Sequence, residues 1–291
     1  MNKTVFITGA TGHIGSHVAR AFRAAGYRVK GLTRGDGRSL QAFGIEAVAG
    51  SMQAPDTWRA AAESAGLLIH AAADYTTDTF ALDRQAVIDL LAVRRKTGAR
   101  FIYTSGVWMA GNSNGRILDE NDANPIEHIA ARREIEPLVR GQGGIVIRPG
   151  VVYGERAGLT AGWFTGEPVV GDGNNHWAMI NVEDLANAYV LAAGKADDGE
   201  LFHVVDDSRL TIRDMVMAAR RATGITTPIE WIPFEVAHAR IGTSAEALTL
   251  DQQVANSKAR SRLGWQPRQP DFVTGAERYR DELVAAQESA A

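Results

Sequence analysis

TGATGHIG, residues Thr8 to Gly15, decides how this chain is read. It follows the apolar run Val5-Phe6-Ile7 and opens an alanine- and arginine-rich stretch. Its glycines fall at 9, 12 and 15, a GxxGxxG spacing rather than GxGxxG. At a strand-to-helix turn, glycines permit backbone angles that a side chain forbids, and they let main-chain amides approach an anion. The positive end of the following helix favours that anion further. Inside a βαβ unit the pattern predicts a dinucleotide-binding loop, with Gly9, Thr11, Gly12, His13, Ile14 and Gly15 around the pyrophosphate. A tight turn without a ligand is the alternative.

The sequence around the loop supplies that βαβ setting. Short β-branched runs predict strands at Lys3–Thr8, Tyr27–Leu32, Glu46–Ala49, Leu67–His70, Phe101–Thr104 and Ile145–Arg148. Between them, helical patterns cover His13–Ala25, a stretch near Asp56–Ser64, Leu82–Lys96 and Ile126–Arg140. Such alternation implies an α/β fold, a doubly wound parallel sheet with helices on both faces. After residue 150, glycine, proline and tryptophan become frequent. Helices are predicted there at Val182–Ala193, Thr211–Ala222 and Phe272–Ala286, and a strand at Glu200–Val205. The expected division is a dinucleotide-binding Rossmann domain over 1–150, with a segment at about 175–205 returning to it, and a smaller substrate lobe over most of 151–291.

Composition narrows the class. The 291 residues carry a net charge of −3 and no dense basic cluster, so neither nucleic acid nor a membrane surface is an expected partner. No run of about 18 apolar residues is present, so no helix is expected to span a membrane. Cysteine is absent, which excludes disulfides, thiolate metal sites and a cysteine nucleophile. A cytoplasmic location fits this, because the chain enters its first strand with no signal-peptide pattern. The seven histidines show no metal-ligand spacing, so no metal is expected.

The end of the second strand reads on the choice of dinucleotide. An NAD site carries an acid there, about 20 residues past the glycines. Here "GLTRGDGR" puts Thr33 in that place and Arg34 after it. Arg34, with Arg38 near it, suits a 2′-phosphate, so NADP is expected over NAD. Asp36 would favour NAD, and Arg34 as a solvated loop cation is the plain alternative.

The chain resembles the extended short-chain dehydrogenase/reductase family of the NAD-dependent epimerase/dehydratase type. The resemblance rests on TGATGHIG, "LLIHAAA" ending at Ala73, "FIYTSGVWMAG" at 101–111, "IRPGVVYG" at 147–154, "MINVEDLANAY" at 179–189 and "SKARSRLGWQP" at 257–267. It implies that Ala71, Ala72 and Ala73 line the cofactor ribose. It also implies that Pro149, Val151 and Val152 lie near the nicotinamide, and that Ser51 and Met52 flank the adenine. The family has an aspartate where Ser51 stands. A homodimer through the helices at about 82–96 and 126–140 is implied as well.

The family's catalytic pair is Tyr-x-x-x-Lys on the helix after the fifth strand. In "PIEHIAARREIEPLV" that place is taken by His128 and Arg132, giving His-x-x-x-Arg. His128 can act as an acid/base because imidazole titrates near neutrality. Four residues apart on a helix, the two share a face, and the cation would depress the histidine's pKa. Arg132 would also reach ribose or phosphate oxygens. Alternatively both are ordinary helix-surface residues.

The strand end "YTSGVW" offers Thr104 and Ser105, of which one faces the site. Thr104 is counted with the cofactor contacts and Ser105 with the catalytic candidates. Tyr75, just after the fourth strand, could supply the missing phenol. Trp108, Trp163 and Trp177 are expected in loops that could cover a small-molecule substrate, whereas Trp58, Trp231 and Trp265 read as packing and His70 as a structural histidine. The expected activity is hydride transfer between NADP(H) and a small carbonyl or alcohol. A non-catalytic NAD(P)-binding redox sensor and a sugar-nucleotide epimerase or dehydratase are the alternatives.

Overall fold

The computed structural model describes residues 3–74, 78–155 and 158–288. In the first half, strands and helices alternate: β1 (Thr4–Thr8), α1 (His13–Ala24), β2 (Arg28–Thr33), α2 (Arg38–Gln41), β3 (Glu46–Ala49), α3 (Arg59–Glu63), β4 (Leu67–His70), α4 (Thr79–Thr97), β5 (Arg100–Thr104), α5 (Arg132–Gly141) and β6 (Ile145–Pro149). There follow β7 (Val151–Tyr153), β8 (Val169–Val170), β9 (Met179–Asn181), α6 (Val182–Lys195), β10 (Leu201–Val204), α7 (Ile212–Thr223), β11 (Trp231–Ile232), α8 (Phe234–Ile241), α9 (Ser244–Thr249) and α10 (Ala276–Glu288).

Seven strands make one parallel sheet in the order β10-β6-β5-β4-β1-β2-β3. The chain winds outward from β1 in one direction and then, from β4, in the other. The carboxyl ends of β1 and β4 therefore open onto a crevice where the winding reverses, the position at which doubly wound sheets hold ligands. Alternate strand residues feed two cores. Val5, Ile7, Ile69, Ile102 and Ile147 pack with Val18 and Phe22 of α1 and Leu185 and Tyr189 of α6. Phe6, Leu68, Phe101 and Val146 pack with Val87, Leu90 and Leu91 of α4 and Ile135 and Val139 of α5. Both faces are covered, which is why these strands read as continuous apolar runs.

A third core gathers beside the sheet. β7 pairs with β9 and β8 with β11, and Tyr153, Trp163, Trp177, Met215, Phe272 and Tyr279 fill the space between them and α7 and α10. Trp163 and Trp177 are only 6% and 3% exposed, with ring centroids 5.5 Å apart. That corrects their expected place as covers over a substrate, because two indoles packed at a tilt of 33° bury more apolar area together than either would over a solvated pocket. Trp58, stacked on Phe6, and Trp265 are packing residues.

Three helices differ from the sequence pattern. The helix expected over Ile126–Arg140 begins only at Arg132, after a 3-10 turn at Glu127–Ile129. Before α5 the chain turns through i→i+3 bonds such as Ala130 N to Glu127 O, and inside α5 Pro137 has no amide hydrogen to donate to the carbonyl of Arg133. The terminal helix begins at Ala276 rather than Phe272, because Asp271 caps a separate turn through the Thr274 amide (2.9 Å) and hydroxyl (2.8 Å). The stretch expected as one helix near Asp56–Ser64 is split into a 3-10 turn at Pro55–Thr57 and α3.

α5 is held to the sheet by a buried ion pair. Arg148 of β6 donates from Nε to Glu136 Oε1 at 3.0 Å and from Nη2 to Oε2 at 2.7 Å. The two side chains are 3% and 5% exposed. A third Arg148 bond reaches His203 Nε2 of β10 at 3.2 Å.

Candidate cofactor and active site

The glycine loop turns back on β4. Gly9 has φ +74°, and a Cβ there would stand 2.5 Å from the Ala71 carbonyl oxygen and 2.7 Å from Ala72 Cα. A Cβ on Gly15 would overlap the Gly9 carbonyl oxygen. The Gly12 amide donates to Gly9 O at 2.9 Å, which closes the loop. α1 begins after Gly12 with no side-chain cap, so the helix start is presented to the crevice as backbone.

A cleft of about 220 Å³ opens above this loop. Gly9, Thr11 and Gly12 form its floor; Thr33 and Arg34 form one wall; Ser51 and Met52 another; Ala71, Ala72, Ala73 and Asp74 the third. Four separate strand ends thus meet at one place. Thr33 Oγ1 accepts from the Gly35 amide at 3.0 Å. Arg34 Nη1 donates to Asp74 Oδ2 at 2.8 Å. Asp36 is turned the other way: it accepts from the Arg38 amide at 3.0 Å and pairs with the Arg38 guanidinium, and those contacts hold its carboxyl below the ordinary range. Trp58 Nε1 donates to the Ser51 carbonyl at 3.1 Å, fixing that wall.

Other predicted cofactor residues stand outside this cleft. The His13 imidazole is 2.9 Å from the Gly154 carbonyl through Nε2. Ile14 and Val152 lean on the first core, while Val151 is buried in the third. Pro149 is buried at the end of β6. Thr104 Oγ1 is 2.7 Å from the Tyr189 hydroxyl of α6, so Thr104 faces that helix. A larger cleft of about 470 Å³ lies between α1, α6 and α10. Its charged groups pair with one another, as in Arg20–Glu155 and Arg278–Glu282, so it offers no comparable backbone cradle.

Beyond β5 the alternation of faces turns Ser105 the opposite way from Thr104. Ser105 is 6% exposed, and its Oγ has no hydrogen-bond partner among the described residues. A buried hydroxyl without a partner is costly unless something supplies one. Arg132 stands beside this turn, its Nη1 3.7 Å from where a Gly106 Cβ would be. Arg132 Nε is 3.8 Å from Asp83 Oδ2 and its guanidinium 5.9 Å from the Phe80 ring centroid.

Asp83 also accepts from Tyr103 Oη at 2.6 Å and from His70 Nε2 at 2.9 Å, and His70 Nδ1 is 2.6 Å from the Thr8 hydroxyl. Burial pushes the Asp83 carboxyl up, but His70, the Arg132 charge and the Tyr103 hydroxyl outweigh it and the group lies below the usual range. Burial pushes the Tyr103 phenol well up. A chain of polar contacts therefore runs from the strand end before the glycine loop to Arg132. Sequence reasoning missed Asp83 and Phe80. The signal was present for Asp83: with Val87, Leu90 and Leu91 it marks the i, i+4, i+7, i+8 buried face of α4, where an acid is out of place.

His128 and Arg132 are not on one helix, which corrects the expected shared face: His128 sits in the 3-10 turn. Its Nδ1 looks to Thr243 Oγ1 (3.4 Å) and Ser244 Oγ (3.5 Å), and Trp108 meets its ring edge-on at 6.2 Å. Burial lowers its pKa, and the Arg132 charge adds to this against Glu246. Tyr75 lies outside the described residues. His70, expected to be structural, is 1% exposed and bonded on both nitrogens.

Residues 5–205 match the profile of the NAD dependent epimerase/dehydratase family, and the chain belongs to that family. An uncharacterized protein of Schizosaccharomyces pombe is 25% identical over 93% of this chain and 97% of its own. A 3-diazoavenalumate denitrifying reductase of Streptomyces sp is 27% identical over 93% of this chain and 98% of its own. The dTDP-glucose 4,6-dehydratase of Bacillus anthracis, solved in complex with NAD, superposes with a TM-score of 0.84 at 17% identity, over 98% of this chain and 97% of that one. Among the described residues no helix is long and apolar enough to cross a membrane.

Proposed function

We propose that this chain is an NADP(H)-dependent oxidoreductase that acts on the carbonyl or alcohol carbon of a small molecule. The observation that carries the reading is the approach of Gly9 to Ala71 and Ala72, within a space a single Cβ would fill, at the floor of a cleft walled by Arg34 and Ser51. In this reading residues 1–150, with α6 and β10, hold the dinucleotide, and elements of 151–291 cover the substrate.

When bound, a nicotinamide supplies or accepts the hydride. The chain's own groups handle the oxygen and its proton. The Ser105 hydroxyl donates to the substrate oxygen, which gives this buried group the partner it lacks within the chain. Arg132, held by Asp83, offers a fixed positive charge beside the same turn, where negative charge on that oxygen would develop. His128, half-buried next to Trp108, is the candidate proton donor. A reductase among the relatives supports a reduction as the reaction type.

Calorimetry with NADPH, NADP and NADH tests the first half of the reading, and a panel of aldehydes, ketones and alcohols followed at the nicotinamide absorbance tests the second. We expect tight NADPH binding and turnover that falls in Ser105→Ala and His128→Ala. Arg34→Ala should weaken NADPH and leave NADH nearly unchanged. Because Arg34 is 70% exposed, that loss should be only about 1 kcal/mol. Equal losses for both cofactors would refute the role given to Arg34. A redox sensor is the second reading, favoured by the way His128 looks toward Thr243 and Ser244. Binding without turnover on any substrate would select it.

A further inference from the structure

Cofactor selection by Arg34 has a second party. Asp74 follows β4, Arg34 follows β2, and their side chains meet at 2.8 Å across the mouth of the cleft. The guanidinium is 70% exposed, while the carboxylate is only 9% exposed. Both line the cleft together with Thr33 and Ser51. The Asp74 segment is tied to the start of α4, since Thr79 Oγ1 donates to the Asp74 carbonyl at 2.7 Å. Asp36, the acid that follows β2, pairs with Arg38 instead.

We propose that Asp74 is a specificity-determining residue, one that shares Arg34 with the nucleotide and so sets the ratio between 2′-phosphorylated and unphosphorylated cofactors. The proposal rests on the reading of this cleft as the adenosine half of a dinucleotide site. A 2′-phosphate is a dianion that seeks the fork of the guanidinium. Asp74 already takes one arm of that fork and places a like charge beside it. A 2′-hydroxyl is different: it is a donor, and a carboxylate accepts from it. Asp74 thus works against the phosphate and for the diol, and Arg34 works the other way. Together they make a site that accepts both cofactors, with the preference set by how far the pair opens.

The two side chains should therefore respond with opposite sign. Calorimetry with 2′,5′-ADP and with 5′-ADP isolates this end of the dinucleotide from any chemistry. In Asp74→Asn, which keeps the side chain's shape, 2′,5′-ADP should bind roughly three- to fivefold tighter, the range open to a partly exposed charge pair. Binding of 5′-ADP should stay level or weaken. Arg34→Ala should shift the ratio toward 5′-ADP. The gain in Asp74→Asn should shrink as salt is raised, since Arg34 is exposed. Matched melting temperatures for the native and variant chains would show that the cleft is intact. A ratio unchanged in Asp74→Asn, or a parallel change for both ligands, would overturn the proposal while leaving the cofactor reading in place. A native chain that bound neither nucleotide would overturn the cofactor reading, and this proposal with it.

Discussion

Gly15→Ala should weaken dinucleotide binding by roughly a hundredfold or more and destabilise the fold, although it adds one methyl group. The new Cβ would overlap the Gly9 carbonyl oxygen and stand 2.7 Å from the Gly9 carbonyl carbon and 3.2 Å from the Ala10 amide nitrogen. All three neighbours are backbone, so no side chain can rotate away. The loop or the first turn of α1 must move, at a cost of about 1–3 kcal/mol for overpacking. Binding suffers more than stability. Amides that approach a diphosphate contribute about 1.5–3 kcal/mol each, so displacing two of them weakens NADPH by roughly a hundredfold or more. Gly98→Ala is the control. Gly98 caps α4 at φ +73° with nothing within 4 Å of its Cβ position, so it loses only conformational ease. Urea unfolding and calorimetry on both variants check the pair. Gly98→Ala should be slightly less stable with native affinity. Native NADPH affinity in Gly15→Ala would remove the loop from the cofactor site.

The reason that loop could be read from sequence is that its information is local. Three glycines, an apolar strand and a helix pattern lie within about twenty residues, and each constrains the others. The strand assignments are legible for the same reason, since each run of β-branched residues fixes its own two faces. What failed to show was set by partners far along the chain. His128 meets Thr243, which lies 115 residues away, and no helical periodicity could announce that the helix starts later. Arg34 meets Asp74 across 40 residues, so its charge read as unopposed. Trp163 and Trp177 sit in glycine-rich sequence, the usual mark of a surface loop. They are buried because each provides the other's apolar wall. Asp83 was an intermediate case: its helical register carried the signal, and only the weight given to hydrophobic positions hid it.

The buried pair behind α5 should produce the other large effect, and its dependence on pH separates two contributions. Removing one partner, as in Glu136→Ala, leaves the Arg148 charge buried, and losses of that kind run to about 3–5 kcal/mol. Replacing both with apolar residues should cost less, because no charge is then stranded. His203 supplies the pH term. Burial, and then the Arg148 charge, push its imidazole down to about 3, from 6.5 in the unfolded chain. Its Nε2 accepts from Arg148, which only a neutral ring can do; the proton is then on Nδ1, which has no partner among the described residues. Above pH 6.5 the ring is neutral in both states and contributes no pH dependence. As pH falls below 6.5 the unfolded chain takes up a proton that the folded chain refuses, so stability declines by about 1.4 kcal/mol per pH unit until pH approaches 3. Asp122 pulls the other way and Lys258 the same way as Arg148. Glu120 accepts from the His203 amide at 2.9 Å, and burial raises its own carboxyl. His203→Gln removes the imidazole while leaving those carboxyls in place. Urea unfolding at pH 7 and pH 5 should show the native chain losing about 2 kcal/mol more than His203→Gln over that interval. Parallel losses in the two proteins would mean that His203 takes up its proton in the folded state, and that Arg148 is then held by Glu136 and the Asp122 carbonyl.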